Sequence, residues 1–413
     1  FRDGRIKAIA ATPTLAAGVN VPARRVVVRD HQRYGDLGMQ PLPVLEVHQM
    51  FGRAGRPGLD PYGEAVLVAG SGDEDELWQR YVEAEPEPVF SKLANRQALR
   101  SHVLATVASG FAASREALLD FLDATFYAHQ EPGADLGRTV DEVVAFLVEE
   151  EMLERIAEDD EPGLRATDLG HQVSRLYVDP LTGAQIVDAL EGAAAPDVDD
   201  GPLTYLAAVC DTPDMYSLYL GSGEDEAMLQ YAMEHETAFV DPPSEFDRGF
   251  EDWLASLKTA RVLMDWIDED DREEIAERYD VGPGDIHTRV ERSEWLLYAA
   301  ESLAHVVDVD DAVLEGVRKT HLRVEQGVRE ELLPLVQVRG IGRVRARRLH
   351  EAGIEDRDAL RSAEVDRIAR LVGPKTAVSI LDEVGRDIGE DDVDASGAEA
   401  PRDESSQSSI GDF

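Results

Sequence analysis

The spacing of the apolar residues changes near residue 80, and this change limits the possible fold more than any other feature of the sequence. Upstream, short and almost continuous apolar runs are typical of buried strands. A strand–helix–strand order indicates a parallel α/β sheet. Downstream of about residue 90 the apolar residues recur at helical spacing. We therefore predict a multidomain α/β plus α fold, with strands at 5–11, 24–28 and 62–69 and a helix at 44–56.

The helical part divides into three segments and a tail. Helical spacing up to about residue 150 is followed by a short hairpin pattern, and together they have the layout of a winged helix. Such modules bind DNA or serve as structural hinges, and both interpretations stay open here. The next segment has the breaks of a helical bundle. The predicted boundaries are 1–80 for the α/β domain, 85–180 for the winged helix, 181–330 for the bundle, 331–390 for a small helical domain and 391–413 for a disordered acidic tail.

The net charge is strongly negative, with 84 acidic residues against 41 basic ones and a formal charge of -43. Such a charge argues against a polyanionic partner. Alternatively, the acidity is a surface adaptation of the kind found in proteins from a salt-saturated cytoplasm. The acidic residues are spread along the chain and the basic ones form arginine islands, so we favour a halophilic origin.

The composition argues against disulfides, metal sites and membrane spans. Cys210 is the only cysteine and the ten histidines are scattered, so we expect neither a disulfide nor a metal site. No apolar run is long enough for a membrane span, and we expect a cytoplasmic protein without a membrane partner. The sequence opens at Phe1 without a signal peptide or a plausible domain start, so we expect it to lack an N-terminal part.

The segment Gln49–Arg56 carries the first candidate catalytic group. On a helix, Gln49, Arg53 and Arg56 stand at i, i+4 and i+7 and share one face, and Gly52 keeps the surface low. Two guanidinium groups on one face can stabilise the negative charge on a phosphoryl group during its transfer. The alternative is a helix whose arginines pair with acidic neighbours.

A second segment, 11–22, stands about thirty residues earlier. Thr12 and Thr14 lie where a predicted strand is followed by a helix N-terminus. The free N–H groups and hydroxyls at such a position can bind a phosphate. Together the two segments closely resemble motifs V and VI of superfamily 2 helicases. The resemblance implies that Thr12 touches the nucleic-acid backbone, that the arginines reach ATP across a cleft, and that the cofactor-binding residues are Asn20, Gly18 and Gly52.

Glycines at 35 and 38 predict a tight hairpin between these segments. The hairpin resembles the strand-separating pin of HelQ-type archaeal repair helicases. Tyr34 and Met39 offer a flat or apolar surface against the last base pair, since unstacking needs one. An ordinary surface loop is the alternative.

A helix in the bundle presents Trp295, Arg292 and Arg289 at successive steps of three residues. An aromatic ring with arginines on adjoining turns can stack on bases and pair with phosphates. Judged by spacing alone, a bundle tryptophan is more often a core residue. The segment resembles the ratchet helix of the HelQ-type family, although Thr288 stands where that family places an arginine two turns before the tryptophan.

The small terminal domain contains Gly340-Ile341-Gly342 between two short helical patterns, which resembles a helix-hairpin-helix. Backbone N–H groups of such a turn bind a DNA phosphate without reading sequence. A weaker second copy includes Lys375. The candidate DNA-binding residues of this domain are Gly340, Gly342, Arg343, Arg345, Arg347, Arg348 and Lys375.

The extreme end carries Gln407, Ile410 and Phe413 at steps of three residues. This spacing matches a peptide that binds the sliding clamp, although the usual second aromatic residue is missing. A chance match is the alternative.

The resemblance to HelQ-type DNA helicases covers nearly the whole chain in order: a partial RecA-like parallel sheet domain, a winged helix, a helical ratchet bundle and a helix-hairpin-helix cap. It implies an ATP-dependent 3′-to-5′ DNA helicase that acts on stalled replication forks. The implied partners are single-stranded and forked DNA, the sliding clamp and single-strand-binding protein, and the implied state is a monomer.

The implied cofactor is ATP with Mg²⁺, bound mainly by a missing N-terminal motor domain. No Gly-x-x-x-x-Gly-Lys-Ser/Thr loop occurs, so we expect this chain alone not to hydrolyse ATP. An RNA helicase of the exosome-associated branch and a non-catalytic DNA-binding scaffold are the alternatives.

Overall fold

The computed structural model divides the chain into two compact units, Phe1–Ser91 and Lys92–Phe413. Among the candidate residues, Thr14, Gly18, Asn20, Gln407, Ile410 and Phe413 lie outside the described residues. The structure describes residues 5–12, 22–35, 38–56, 58, 60–83, 85, 87–133, 135–158, 161–221 and 223–386.

Within its described residues, the first unit combines a small parallel sheet, a hairpin and two helices. Its elements are β1 (Arg25–Val28), β2 (Gln32–Gly35), β3 (Gly38–Pro41), α1 (Val44–Phe51), β4 (Glu64–Leu67) and α2 (Glu74–Tyr81). β1 and β4 pair in parallel, as predicted, and β2 and β3 form the antiparallel hairpin expected from its glycines. Tyr81 is fully buried, and its hydroxyl donates to the carbonyl of Leu42 at 2.8 Å.

The prediction of a helix from residue 44 to residue 56 is wrong at its C-terminal end, because α1 stops at Phe51. The chain then turns back, and the N–H of Gly55 donates to the carbonyl of Ala23 at 2.7 Å. Gly55 needs a positive φ of 92°, and Gly63 packs so closely on this turn that a Cβ would collide with its backbone. Gln49, Arg53 and Arg56 therefore do not share one helical face.

The prediction of a buried strand at 5–11 is also not met. The described residues 5–12 belong to no strand and are exposed, including Ile6 and Ile9. An apolar run becomes a strand only where a neighbouring strand accepts its backbone hydrogen bonds.

The second unit begins with a winged-helix arrangement. Its elements are α3 (Arg96–Ala108), α4 (Arg115–Asp123), α5 (Phe126–Gln130), α6 (Leu136–Glu149), β5 (Leu153–Glu158), β6 (Glu161–Ala166) and α7 (Asp168–Leu176). The side chains of Asn95, Ser114 and Asp135 accept backbone N–H groups where helices begin. β5 and β6 pair antiparallel, which confirms the predicted hairpin.

A helical bundle follows. Its helices are α8 (Pro180–Ala193), α9 (Pro202–Cys210), α10 (Asp225–Glu234), α11 (Phe250–Ile267), α12 (Arg272–Tyr279), α13 (Pro283–Val307) and α14 (Asp311–Gln326). The 25-residue α13 packs against α7, α8 and α14. One continuous apolar core runs from Leu99 in the winged helix to Val324 in the bundle.

The terminal domain has an apolar core of its own. Its helices are α15 (Leu333–Val336), α16 (Arg343–Glu351), α17 (Arg357–Ser362), α18 (Val365–Val372) and α19 (Pro374–Glu383). Glycine-containing turns join α15 to α16 and α18 to α19, with Gly340 and Gly373 at φ values of 92° and 90°. Glycine adopts this region without the steric cost that a Cβ brings.

The close contact between α7 and the winged-helix hairpin gives a first prediction. At Gly170 an added Cβ would overlap the carbonyl of Met152, whereas at Gly284 in α13 it would meet open space. We expect Gly170→Ala to destabilise the second unit by about 2–3 kcal/mol through overpacking. Gly284→Ala should leave its stability unchanged or slightly raised, because alanine is the better helix former.

Thermal unfolding followed by tryptophan fluorescence measures both variants. Equal melting temperatures for Gly170→Ala and the unchanged chain would contradict the tight packing at this helix.

Candidate functional site

The segment Gln49–Arg56, named the motor segment after the resemblance described above, has Gln49 on a helix and Arg53 and Arg56 beyond its end. Gln49 is exposed on α1, and Arg53 lies in the turn that follows. The guanidinium of Arg56 donates two hydrogen bonds to the carboxylate of Asp60, with Nε–Oδ2 at 2.7 Å and Nη2–Oδ1 at 2.8 Å. The hydrogen bonds from Arg56 lower the pKa of the Asp60 carboxyl below its ordinary value.

Some groups of this segment are placed so that they can contact a phosphate. Gln49 presents an amide, and Gly52 is exposed beside Arg53, so a phosphate can approach the backbone there. Arg56 fits only if it exchanges Asp60 for a phosphate oxygen, because the fork that would bind phosphate is already occupied. The described residues contain no group of three or more histidine, cysteine and acidic side chains placed to hold a metal.

The hairpin β2–β3 presents Met39 with 61% of its surface exposed. Met39 lies opposite Tyr34 in the strand register. Arg33 on β2 pairs with Glu46 on α1 at 3.0 Å, which fixes the base of the hairpin to the helix. An exposed thioether on a tethered hairpin can serve as an apolar wedge.

Trp295 on α13 is partly buried, so the alternative of a core tryptophan holds in part. Its indole N–H donates to the carbonyl of Leu176 at 3.2 Å. The guanidinium of Arg292 lies 4.3 Å from the ring centroid of Tyr216 and 5.8 Å from that of Trp295. Arg292 also donates to the carbonyl of Asp214 at 3.1 Å. This arrangement is a preformed stack of aromatic rings and a guanidinium.

Arg289 and Thr288 occupy the preceding turn of α13. Arg289 pairs with Asp285 of the same helix at 3.2 Å, and its buried Nε has no hydrogen-bond partner among the described residues. Thr288 is exposed and donates its hydroxyl proton to the carbonyl of Gly284. Arg292 is therefore the candidate arginine that stacks directly beside the tryptophan.

Two of the four candidate arginines on α16 face the bundle. Arg343 lies 5.0 Å from the ring centroid of Trp266 and donates to the carbonyl of Asp270 at 2.8 Å. Arg347 donates to both carboxylate oxygens of Glu269, at 2.8 Å and 2.6 Å. These arginines hold the terminal domain on the bundle, and this role was not foreseen from the sequence.

The other candidates of the terminal domain surround its glycine turns. Arg345 donates to the carbonyl of Gly340 at 3.1 Å, and Arg348 is half-buried on α16. Gly342 caps α16, and an added Cβ there would meet nothing within 4 Å. Lys375 is exposed at the start of α19. The open turn and the N–H groups that begin α16 suit a phosphate of a nucleic-acid backbone.

Trp266 is a central residue that sequence reasoning missed. Its indole N–H donates to the carbonyl of Val324 at 2.8 Å, and the guanidiniums of Arg272 and Arg343 lie 5.2 Å and 5.0 Å from its ring centroid. The only sign of this role in the sequence is that Trp266 is a large aromatic residue. Its partners, Arg343 of α16 and the carbonyl of Val324 in α14, come from distant parts of the chain.

The contact between the terminal domain and the bundle predicts a pH dependence. Burial acts to raise the pKa of Glu269, but hydrogen bonds from Arg347 and from the Arg329 N–H outweigh it and leave the pKa below the ordinary 4.5. A carboxyl with a lowered pKa in the folded state stabilises the fold above its ordinary pKa, and this contribution disappears as the pH falls through the lowered value.

We therefore expect Glu269→Gln to destabilise the second unit by about 1–2 kcal/mol at pH 7, and the difference to disappear as the pH falls below 4.5. The control is Glu331→Gln, because Glu331 is more exposed and accepts one hydrogen bond from Arg347. Thermal melting across this pH range measures both. A Glu269→Gln effect that is independent of pH would exclude the charged carboxylate as its source.

Three protein-family models match parts of the chain. A model described as "Helix-turn-helix domain" matches residues 63–154. A model described as "Archaeal helicase, domain 4" matches residues 203–327, which include α9 to α14. A model described as "SAM-like Helix-hairpin-helix tandem" matches residues 332–386 and agrees with the two glycine turns of the terminal domain.

Relatives named "ATP-dependent DNA helicase Hel308" match nearly the whole chain. The protein from Methanocella arvoryzae is 44% identical over 396 residues, which are 94% of this chain and 52% of the relative. The protein from Pyrococcus horikoshii is 38% identical over 395 residues, 94% of this chain and 54% of the relative. The protein from Caldivirga maquilingensis is 36% identical over 400 residues, 93% of this chain and 52% of the relative. The chain thus spans about half the length of the curated relatives to which it is similar.

Proposed function

We propose that this chain forms part of an ATP-dependent DNA helicase that moves 3′ to 5′ on single-stranded DNA and unwinds forked or lagging-strand structures at stalled replication forks. The observation that carries this proposal is the similarity to relatives named DNA helicases over 94% of the chain. That similarity covers the motor segment and the helix-hairpin-helix tandem together.

The motor segment contributes one side of a composite nucleotide site. ATP with Mg²⁺ is held mainly by a phosphate-binding motor domain, and its hydrolysis supplies the free energy for movement. Arg53 and Arg56 stabilise the charge that develops on the phosphoryl group, and Gln49 contributes its amide to the same site. Arg56 leaves Asp60 to do so, which exchanges one charge-assisted hydrogen-bonded pair for another. Gly18, Asn20 and Gly52 are the proposed nucleotide-binding residues on this side, and Thr12 and Thr14 are the proposed contacts to the nucleic-acid backbone.

The proposed DNA contacts are of three kinds. Tyr34 and Met39 separate the strands at the hairpin of the first unit. In the second unit, Trp295 and Arg292 stack on unpaired bases, since every base offers a flat face. The turn at Gly340 to Gly342 binds the backbone through N–H groups. The helix-hairpin-helix tandem and the similarity to relatives named DNA helicases favour DNA over the alternative of an exosome-type RNA helicase.

The acidic composition accords with a halophilic origin and changes the balance of these contacts. Counterion release supplies little affinity in concentrated salt, because affinity from this source falls steeply as salt rises. Stacking is much less sensitive to salt. Gln407, Ile410 and Phe413 remain a proposed clamp-binding peptide, and single-strand-binding protein remains a proposed partner.

The arginine-finger assignment is tested in a protein that carries this chain together with a phosphate-binding motor domain. We expect Arg53→Ala to abolish ATP-coupled strand displacement on forked DNA while leaving DNA affinity unchanged, because the guanidinium acts on the phosphoryl charge. The control is Arg80→Ala on α2, an exposed arginine outside the motor segment.

Strand displacement is compared on forked DNA and on RNA duplexes. Unchanged unwinding by Arg53→Ala would exclude its catalytic role. Efficient unwinding of RNA alone would support the exosome-type alternative, and DNA binding without any displacement would support a non-catalytic scaffold.

The balance of contacts gives another prediction. In molar salt, we expect Trp295→Ala to lower affinity for single-stranded DNA about five- to hundredfold, because it removes a stacking surface. Arg345→Ala should cost less, since its ionic contribution is screened. Fluorescence anisotropy with a labelled oligonucleotide measures both, and a larger loss from Arg345→Ala would contradict the dominance of stacking.

A further inference from the structure

Tyr177 has an unusual backbone for a residue of its size. It ends α7 in the left-handed region, with φ 58° and ψ 24°. A bulky side chain is rare in that region, where glycine or asparagine normally ends a helix. The side chain is nevertheless 89% exposed, and it makes no side-chain hydrogen bond or ring contact among the described residues. No internal packing therefore offsets the strain, which is typical of residues kept for a function.

Tyr177 is held next to the stacking surface of α13. Leu176, which precedes it, is buried and accepts the indole N–H of Trp295 at 3.2 Å. Val178, which follows it, is also buried. The two flanking residues are thus fixed in the core while the tyrosine side chain projects into solvent.

Tyr216 lies against the guanidinium of Arg292. Its neighbours Met215 and Leu218 are buried, and the N–H of Leu218 donates to the hydroxyl of Thr259 at 2.8 Å. Tyr216 itself is 59% exposed, and one face of its ring carries the guanidinium of Arg292 at 4.3 Å. An anchored segment therefore presents an aromatic ring that is already stacked on a cation.

We propose that Tyr177 and Tyr216 are base-stacking residues that extend the Trp295 surface into a track for consecutive unpaired nucleobases. The proposal rests on the proposed function, since it assigns further residues to the same DNA path. Tyr216, Arg292, Trp295 and the backbone of Leu176 form a contiguous series that ends at Tyr177.

Single-stranded nucleic acid fits this surface better than an apolar protein segment does. The guanidinium of Arg292 lies against the rings of both Tyr216 and Trp295, so an apolar partner would have to desolvate it. A base can stack on each ring while its phosphate stays near exposed cations such as Arg175.

The first test separates base stacking from backbone attraction. Affinity is measured in molar salt for an oligothymidylate and for a strand of the same length that lacks bases. We expect Tyr177→Ala and Tyr216→Ala each to weaken binding of the oligothymidylate about five- to hundredfold while leaving the base-free strand unaffected. Tyr177→Phe and Tyr216→Phe should keep the affinity, because the ring remains. The control Phe246→Ala removes a 96% exposed aromatic residue of the same bundle and should change neither affinity.

The second test uses the strain at Tyr177. Tyr177→Gly removes the Cβ from a left-handed position, so it should raise the melting temperature while lowering affinity for the oligothymidylate. A purely structural tyrosine would give the opposite result, with lower stability and unchanged affinity.

The possible failures are distinguishable. If Trp295→Ala weakens binding of the oligothymidylate but the tyrosine variants do not, the stacking track is wrong and the proposed function stands. If the unchanged chain binds neither strand, the proposed DNA path itself is wrong. Equal losses on both strands for the tyrosine variants would also overturn the track, because they would show a general disturbance of the surface.

Discussion

The buried ion pair between Arg100 and Asp179 holds the winged helix to the bundle. Asp179 accepts both guanidinium donors at 3.0 Å and 2.8 Å, and it also caps α8. Its own N–H donates to Asp214 at 2.7 Å, and the carbonyl of Asp214 accepts Arg292. The stacking group on α13 is therefore positioned by a chain of hydrogen bonds that starts in the winged helix. A loss of either partner would leave an unpaired buried charge.

The way this chain distributes its cations gives a reason for aromatic residues in the proposed DNA path. With 84 acidic and 41 basic residues, many arginines are committed to internal carboxylates and carbonyls. Arg323, Arg343 and Arg347 all bind groups of the loop that follows α11. Rings such as Tyr177 carry no charge and are not drawn into such pairs. A strongly acidic chain can thus keep a nucleic-acid surface by using rings where a basic protein would use lysines.

Short sequence patterns predicted the turns whose geometry depends mainly on neighbouring residues. The glycines at 35 and 38 indicated the hairpin, and the turn at Gly340 indicated the first helix-hairpin-helix. The end of α1 could not be predicted, because Gly55 turns back to pair with Ala23 and lies against Gly63. Likewise, the basic run of α16 gave no sign that Arg347 faces Glu269, which is 78 residues away. The group that a helical side chain faces depends on partners that only the tertiary fold supplies.

The domains of the second unit are joined in two ways that differ in what their separation would expose. The winged helix and the bundle share one apolar core, so parting them would expose the interior of both. The terminal domain has a separate core and meets the bundle through ion pairs, carbonyls, Leu322 and one tryptophan. Its separation would leave the larger core covered while removing the partners of Glu269 and Trp266.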